Sequence, residues 1–125
     1  MKKLLLFFLF LIYGNSLIAQ SNIYSGSSGY TVVARVENGK VYSGPSGYTI
    51  VARYENGKVY SGSSGYTIIA RIENNKIYQG ANGYTIIGRI ESKKIYSGSS
   101  GYSVVARSED NTGFGLAAAA VVFCL

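Results

Sequence analysis

An 18-residue unit repeated five times constrains this chain more than any other feature. Residues 42–59 read YSGPSGYTIVARYENGKV, and close copies start at Tyr24, Tyr60, Tyr78 and Tyr96, the last fraying after Arg107. A period this regular means one supersecondary unit arrayed several times, because a single copy is too small to bury a face of its own. The fold question therefore becomes how one unit is built and how five of them are arranged.

The unit reads as a β-hairpin. Residues 30–37 are rich in β-branched side chains, Asn38-Gly39 follows, and Lys40-Val41-Tyr42-Ser43 returns. Asn-Gly between two such runs is the strongest short-range signal for a two-residue type I′ turn. A regular register then pairs Glu37 with Lys40, Val36 with Val41, Arg35 with Tyr42 and Ala34 with Ser43. Strict alternation puts Tyr30, Val32, Ala34, Val36 and Val41 on an inward face, and Thr31, Val33, Arg35, Glu37, Lys40 and Tyr42 on a solvated one. The inward position of Ala34 recurs as Ala52, Ala70, Gly88 and Ala106, always small, which marks crowding at an axis or against another segment. Pairs such as Ser43-Gly44 and Ser64-Gly65 make the second connection, read as a four-residue loop whose glycines accept positive φ. No stretch of the unit is left over for a helix.

Eighteen residues is also three hexapeptides, but stepping by six from Val32 meets Asn38 and Gly44, so a left-handed β-helix fails for want of an aliphatic row. A stacked-hairpin amyloid needs Gln and Asn ladders, whereas Gln79 stands alone where the other copies have Ser. Choline-binding cell-wall repeats depend on Trp, and the chain has none. A meander that closes on itself remains, since closure removes the edges that five identical hairpins would otherwise expose. The alternation GKVYSG-x-SGYTIVAR resembles the β-flower proteins, small bacterial domains whose hairpin repeats radiate round an axis as a shallow barrel. The resemblance runs from about Ile23 to Leu125 and implies an all-β, closed or nearly closed array of five hairpins, with no established activity attached.

Two segments lie outside the repeats. Residues 1–19 carry Lys2 and Lys3, an apolar run from Leu4 to Ile12 and a small Ala19 at a plausible cut, the form of a secretory signal peptide. Export to the periplasm, outer envelope or medium is the expectation, and the apolar run is too short to span a bilayer in a mature chain. After residues 22–113, assigned to the five hairpins, residues 114–125 form an uncharged tail, FGLAAAAVVFCL. Phe114 falls where Tyr42 falls in its copy and is read as starting a last short strand. The remainder is the one apolar segment left to fill the axis of a barrel wider than eight strands, which its own side chains would leave open. Four alanines make it slim, and ten residues of helix reach about 15 Å. The tail is expected to insert centrally as a plug, as a helix in preference to an extended segment, against the small positions 34, 52, 70, 88 and 106.

Composition excludes more than it assigns. Without Lys2 and Lys3 the formal charge falls from +6 to +4, spread one unit at a time over the repeats, so no nucleic-acid footprint forms. Histidine is absent, Asp110 sits in a turn, each Glu has a basic neighbour, and the serines lie in Ser-Gly loops without a base. Enzymatic function, metal and cofactor are therefore not expected. Cys124, alone, reads as a small buried hydrophobe rather than a reactive thiol. The candidate binding residues are Arg35, Arg53, Arg71, Arg89 and Arg107, equivalent in every copy, which in a closed array could meet an anionic lipid or glycan. Their alternative role is a solvated ladder paired with Glu or with Tyr across the hairpin. The tyrosine rows 24, 42, 60, 78, 96 and 30, 48, 66, 84, 102 are expected to pack in the core or across strands, with sugar stacking as the alternative. Three functions are compatible with these features: a secreted or envelope-associated structural or binding module, an Arg/Tyr-ring binder of anionic lipid or envelope glycan, and a fibril-forming repeat protein.

Overall fold

The computed structural model describes residues 20–109 and 113–125; the expected signal peptide, residues 1–19, and the turn at Asp110 lie outside the described residues. Ten strands appear in chain order: β1 (Gln20–Ser25), β2 (Val32–Glu37), β3 (Lys40–Ser43), β4 (Ile50–Glu55), β5 (Lys58–Ser61), β6 (Ile68–Glu73), β7 (Lys76–Gln79), β8 (Ile86–Glu91), β9 (Lys94–Ser97) and β10 (Val104–Ser108). A helix, α1 (Phe114–Phe123), follows. Each strand pairs antiparallel with its chain neighbours, and β1 pairs with β10, so the sheet is a closed all-β barrel.

The turn chemistry sets the register. Asn38 and Gly39 have φ of 50° and 78°, and Asn56 and Gly57 have 51° and 75°, the left-handed pair that a type I′ corner requires. Glu37 faces Lys40, Val36 faces Val41, Arg35 faces Tyr42 and Ala34 faces Ser43, as expected from the Asn-Gly position. Asn74-Asn75 turns the third hairpin with both residues left-handed, and Ser92 takes φ 52° in the fourth. Each turn also ties itself to the next hairpin, with the Tyr54, Ile72, Ile90 and Ser108 amides donating to the carbonyls of Gly39, Gly57, Asn75 and Lys93.

The face assignment needs one correction. Between hairpins the register slips, with Val41 facing Ala52 but Tyr42 facing Ile50, so Val51 is the extra residue of a β-bulge. The same slip occurs at each junction from β1–β2 to β9–β10. An inserted residue reverses parity for everything before it. Val33 and its equivalents consequently lean on the core, while Val32 shares the outer face with Tyr24, and Tyr30 is exposed rather than inward. The second connection is also longer than four residues: Gly44 to Thr49 separate β3 from β4, with Gly44 and Gly47 both at positive φ and the Ser43 amide bonded to the Thr49 carbonyl.

Closure uses the beginning of the chain. Ile23-Tyr24-Ser25 repeats Val41-Tyr42-Ser43 and pairs with Ser108, Arg107 and Ala106 in the register of every other hairpin. β1 thus supplies the return strand of the fifth unit, so no strand starts at Phe114, which instead opens α1.

The helix fills the axis. Leu116, Ala117, Ala118, Ala119 and Ala120 are fully buried, in one cluster with Ala34, Ala52, Ala70 and Ala106 and the larger Val41, Val59, Ile77 and Ile95. It enters at the end that carries the two-residue turns, where Gly113 lies beside Asn75 and Ser92, and runs toward the end that carries the long loops. There Leu125 Cδ1 comes within 2.9 Å of where a Cβ on Gly88 would stand. A methyl at that position would also come within 3.1 Å of the Tyr96 carbonyl and 3.3 Å of Ile77 Cδ1, so Gly88 is crowded from three sides.

Two substitutions test this packing. Gly57→Val forces a β-branched residue into φ 75° with its Cβ about 3.1 Å from the Ile72 carbonyl and should cost on the order of 1 kcal/mol or more in a urea melt. Gly88→Ala should cost roughly 1–3 kcal/mol through overpacking. Part of that loss should vanish in a Leu125→Ala background, a coupling measurable by a double-mutant cycle, and the remainder reports the Tyr96 carbonyl and Ile77.

Candidate functional site

The arginine row ends up on the outer wall, and its hydrogen-bond partners are backbone carbonyls. Arg35 Nη1 donates to the Gly44 carbonyl and Nη2 to the Gly47 carbonyl, both in the loop that leaves its own hairpin. Arg53 does the same to Gly62 and Gly65, Arg71 to Gly80 and Gly83, and Arg89 to Gly98 and Gly101. Arg107 reaches Gly26 and Gly29 near the start of the chain, so the fifth bond pair helps close the ring. The Nη1 bonds measure 2.9–3.3 Å. A planar fork with several donors suits this task, since two carbonyls turned by left-handed glycines would otherwise lack partners.

Each guanidinium also lies over the tyrosine across its hairpin. The distance to the ring centroid is 5.2 Å for Arg35–Tyr42, Arg53–Tyr60, Arg71–Tyr78 and Arg89–Tyr96, and 5.4 Å for Arg107–Tyr24, within the range of a favourable cation–π contact. The first tyrosine row is half-buried by this stack. Pairing with Glu occurs once among the described residues, between Arg71 Nε and Glu73 at 3.7 Å.

The second tyrosine row behaves otherwise. Tyr30, Tyr48, Tyr66, Tyr84 and Tyr102 are 79–90 % exposed, the most exposed large hydrophobic side chains among the described residues. Three of them meet the first row edge to face, with centroids 5.9 Å apart for Tyr24–Tyr30, 6.3 Å for Tyr60–Tyr66 and 6.5 Å for Tyr96–Tyr102. The loop segments that carry them hold Ser, Gly, Thr, Ala, Asn and Pro but no charged residue. One such loop, Ala81 to Tyr84, walls a groove of about 420 Å³ together with Arg71 and Glu73.

Ring order brings in residues that a single hairpin does not reveal. Lys40 faces Glu37 inside its hairpin, but on its other side it faces Arg53 of the next one. Lys58 faces Arg71, Lys76 faces Arg89, and Lys94 faces Arg107 in the same way. Arg35 is the exception: its neighbour across the seam is Asn22, and it is only 5 % exposed. The signal in the sequence is the constant spacing from each Lys to the next Arg, readable only once adjacent hairpins are known to pair. Cys124 is half-buried at the C-terminal end of the helix, and burial pushes its thiol above its ordinary value. Among the described residues no group of three metal-ligating side chains forms, and no helix is long and apolar enough to cross a membrane.

A closed ring of hairpins, stapled loop by loop and plugged by its own helix, defines the class of fold. The family model described as a 6-fold beta flower protein matches residues 16–122, and the chain belongs to that β-flower family. Its ring differs from the description in closing with ten strands, five hairpin units. Comparison with curated proteins and with solved structures finds no match.

The staple is testable at one copy. Arg53→Lys keeps the charge but loses the fork that spans Gly62 and Gly65, so stability should fall by about 1–2 kcal/mol. Limited proteolysis should then cut the loop between β5 and β6 sooner than the equivalent loops.

Proposed function

We propose that this chain is an exported, non-catalytic module that binds glycan of the cell envelope through the ring of exposed tyrosines on its loops. The observation that carries the reading is the 79–90 % exposure of Tyr30, Tyr48, Tyr66, Tyr84 and Tyr102, one per unit. A large aromatic side chain kept in water by every copy of a repeat contributes little to folding, and its apolar face is suited to stacking on the C–H face of a sugar ring. Ser, Thr and Asn beside it supply hydroxyl and amide groups for sugar hydroxyls, the composition that also serves adaptable binding loops on other rigid scaffolds. The arginine staples hold those loops in place, which lowers the ordering cost of binding.

Other features support the same reading. The interior is filled by α1 and offers no room for a substrate, and neither a histidine nor a nucleophile with a base is present on the wall. Closure of the sheet removes the free edges on which a fibril would grow. The N-terminal stretch of residues 1–19 supports export.

The test uses the processed chain, collected from the extracytoplasmic fraction, and purified insoluble wall glycan as the probe. Tyr48→Ala, Tyr66→Ala and Tyr84→Ala combined should reduce co-sedimentation at least tenfold. The same variant should keep its melting temperature within about 2 °C, because the three side chains are 88–90 % exposed. Equal sedimentation of variant and wild type, or none by wild type, would remove the tyrosine ring as a binding surface.

A further inference from the structure

The four Lys–Arg seams are poorly explained by stability. Like charges directly opposite each other on one sheet face repel, and a ring built for stability alone would place an acid or a neutral residue in one of the two positions. This chain does so at the one seam where the Arg is buried, with Asn22 opposite Arg35. At the other four, an exposed Lys from one hairpin stands opposite a half-buried Arg of the next. The stack Arg53–Tyr60–Tyr66 continues the row that Lys40 begins, so two cations and two aromatic faces lie on one patch of wall.

The guanidinium there is not saturated. Its Nη atoms serve the loop carbonyls, while the Nε of Arg53, Arg89 and Arg107 has no protein partner among the described residues. An oxyanion bonded to that N–H would also face the lysine set opposite it in register, whose other neighbour is the glutamate of its own hairpin. At the Lys58–Arg71 seam the chain's own Glu73 stands 3.7 Å from the Arg71 Nε and lines the groove there, so that position already holds a carboxylate.

We infer that three of these seams, Lys40–Arg53, Lys76–Arg89 and Lys94–Arg107, are binding sites for the carboxylate groups of an acidic polysaccharide, each built from the Lys of one hairpin and the Arg and tyrosine pair of the next, and that the Lys58–Arg71 and Asn22–Arg35 seams are blank. The inference rests on the glycan reading above and adds to it the charge of the sugar, the position on the outer wall and the number of sites. Every site spans two hairpins, so it exists only in the closed ring. Carboxylate recognition here is electrostatic and partly exposed, hence strongly dependent on salt.

Titration calorimetry of the processed chain with a short polyuronate, and with the same oligosaccharide after carboxyl reduction, tests the proposal. The expected result is three equivalents of polyuronate per chain at low ionic strength, at least tenfold weaker binding at 0.15 M salt, and weak binding of the reduced sugar. Replacing Lys40, Lys58, Lys76 and Lys94 by Gln together should lower polyuronate affinity at least tenfold with an unchanged or higher melting temperature. Asn22→Lys should raise the stoichiometry to four. Binding of the reduced sugar as tightly as the polyuronate, or an unaffected quadruple variant, overturns the seam sites while leaving the tyrosine ring standing. Binding of neither sugar, in a chain that also fails to sediment with wall glycan, removes both readings. Tighter binding to vesicles containing anionic phospholipid than to the polyuronate overturns the polysaccharide and assigns the seams to a lipid surface.

Discussion

Contact between two small surfaces, the alanines of α1 and the ring of residues at position 34 and its equivalents, is the constraint on which the rest of this structure depends. Ten strands enclose more space than their own side chains fill, and an α-helix with bulky side chains is about 10–12 Å across. Either the wall widens or both partners become slim. The chain takes the second route, with four consecutive alanines on the helix and Ala or Gly on the wall, all without solvent contact. Larger aliphatic groups stand beside that belt, at Val36, Val41 and their equivalents, with Val41 directly opposite Ala52. The Gly88–Leu125 contact belongs to the same competition for space, with the Tyr96 carbonyl and Ile77 also crowding the place a methyl would take.

How much of this could be read from residues alone depends on whether a feature leaves a mark in the pattern. Hairpin register could be read because Asn-Gly specifies both the turn and the pairing around it. The plug could be anticipated because Ala34, Ala52, Ala70, Gly88 and Ala106 stay small among large neighbours. The bulge could not, since Val32-Val33 and Ile68-Ile69 place two β-branched residues side by side and either one can be the inward one. Strict alternation from Ala34 back to Tyr30 therefore gave the wrong face. Loop length was equally hidden, because a run of Ser and Gly does not say where the ladder stops. The return strand of the fifth unit was visible in Ile23-Tyr24-Ser25, a copy of Val41-Tyr42-Ser43, but a reading that runs only forward assigns it to Phe114.

The arginine row illustrates a different limit. Its equivalence across five copies is plain in the sequence, and so is the tyrosine opposite. What it binds is decided nine and twelve residues further on, at carbonyls that only left-handed glycines turn toward it. Backbone polar groups in such loops need partners, and one side chain per unit satisfies two of them. Among the described residues no buried side-chain polar atom is left without a hydrogen bond. The same arginine is thus a loop staple on one edge and, on the other, a cation facing the lysine of the preceding hairpin.

An interior occupied by α1 leaves the repeated outer wall as the surface open to partners, where single contacts are weak. Exposed aromatic stacking and half-screened charge pairs each contribute little. Repetition changes that arithmetic, because a second contact with an already bound ligand is intramolecular and benefits from a high effective concentration. The benefit is realised when the ligand repeats on a matching scale: equivalent positions on successive hairpins are two strands apart, about 10 Å along the ring. A single small molecule would gain nothing from three or five copies of one patch, whereas a polymer with a regular chemical repeat gains at every step. On the proposed reading, near-identity of the units would serve binding as well as folding, since a copy that drifted would interrupt the track. The closing seam, where β1 meets β2 and Asn22 replaces the lysine, is where such a track would begin and end.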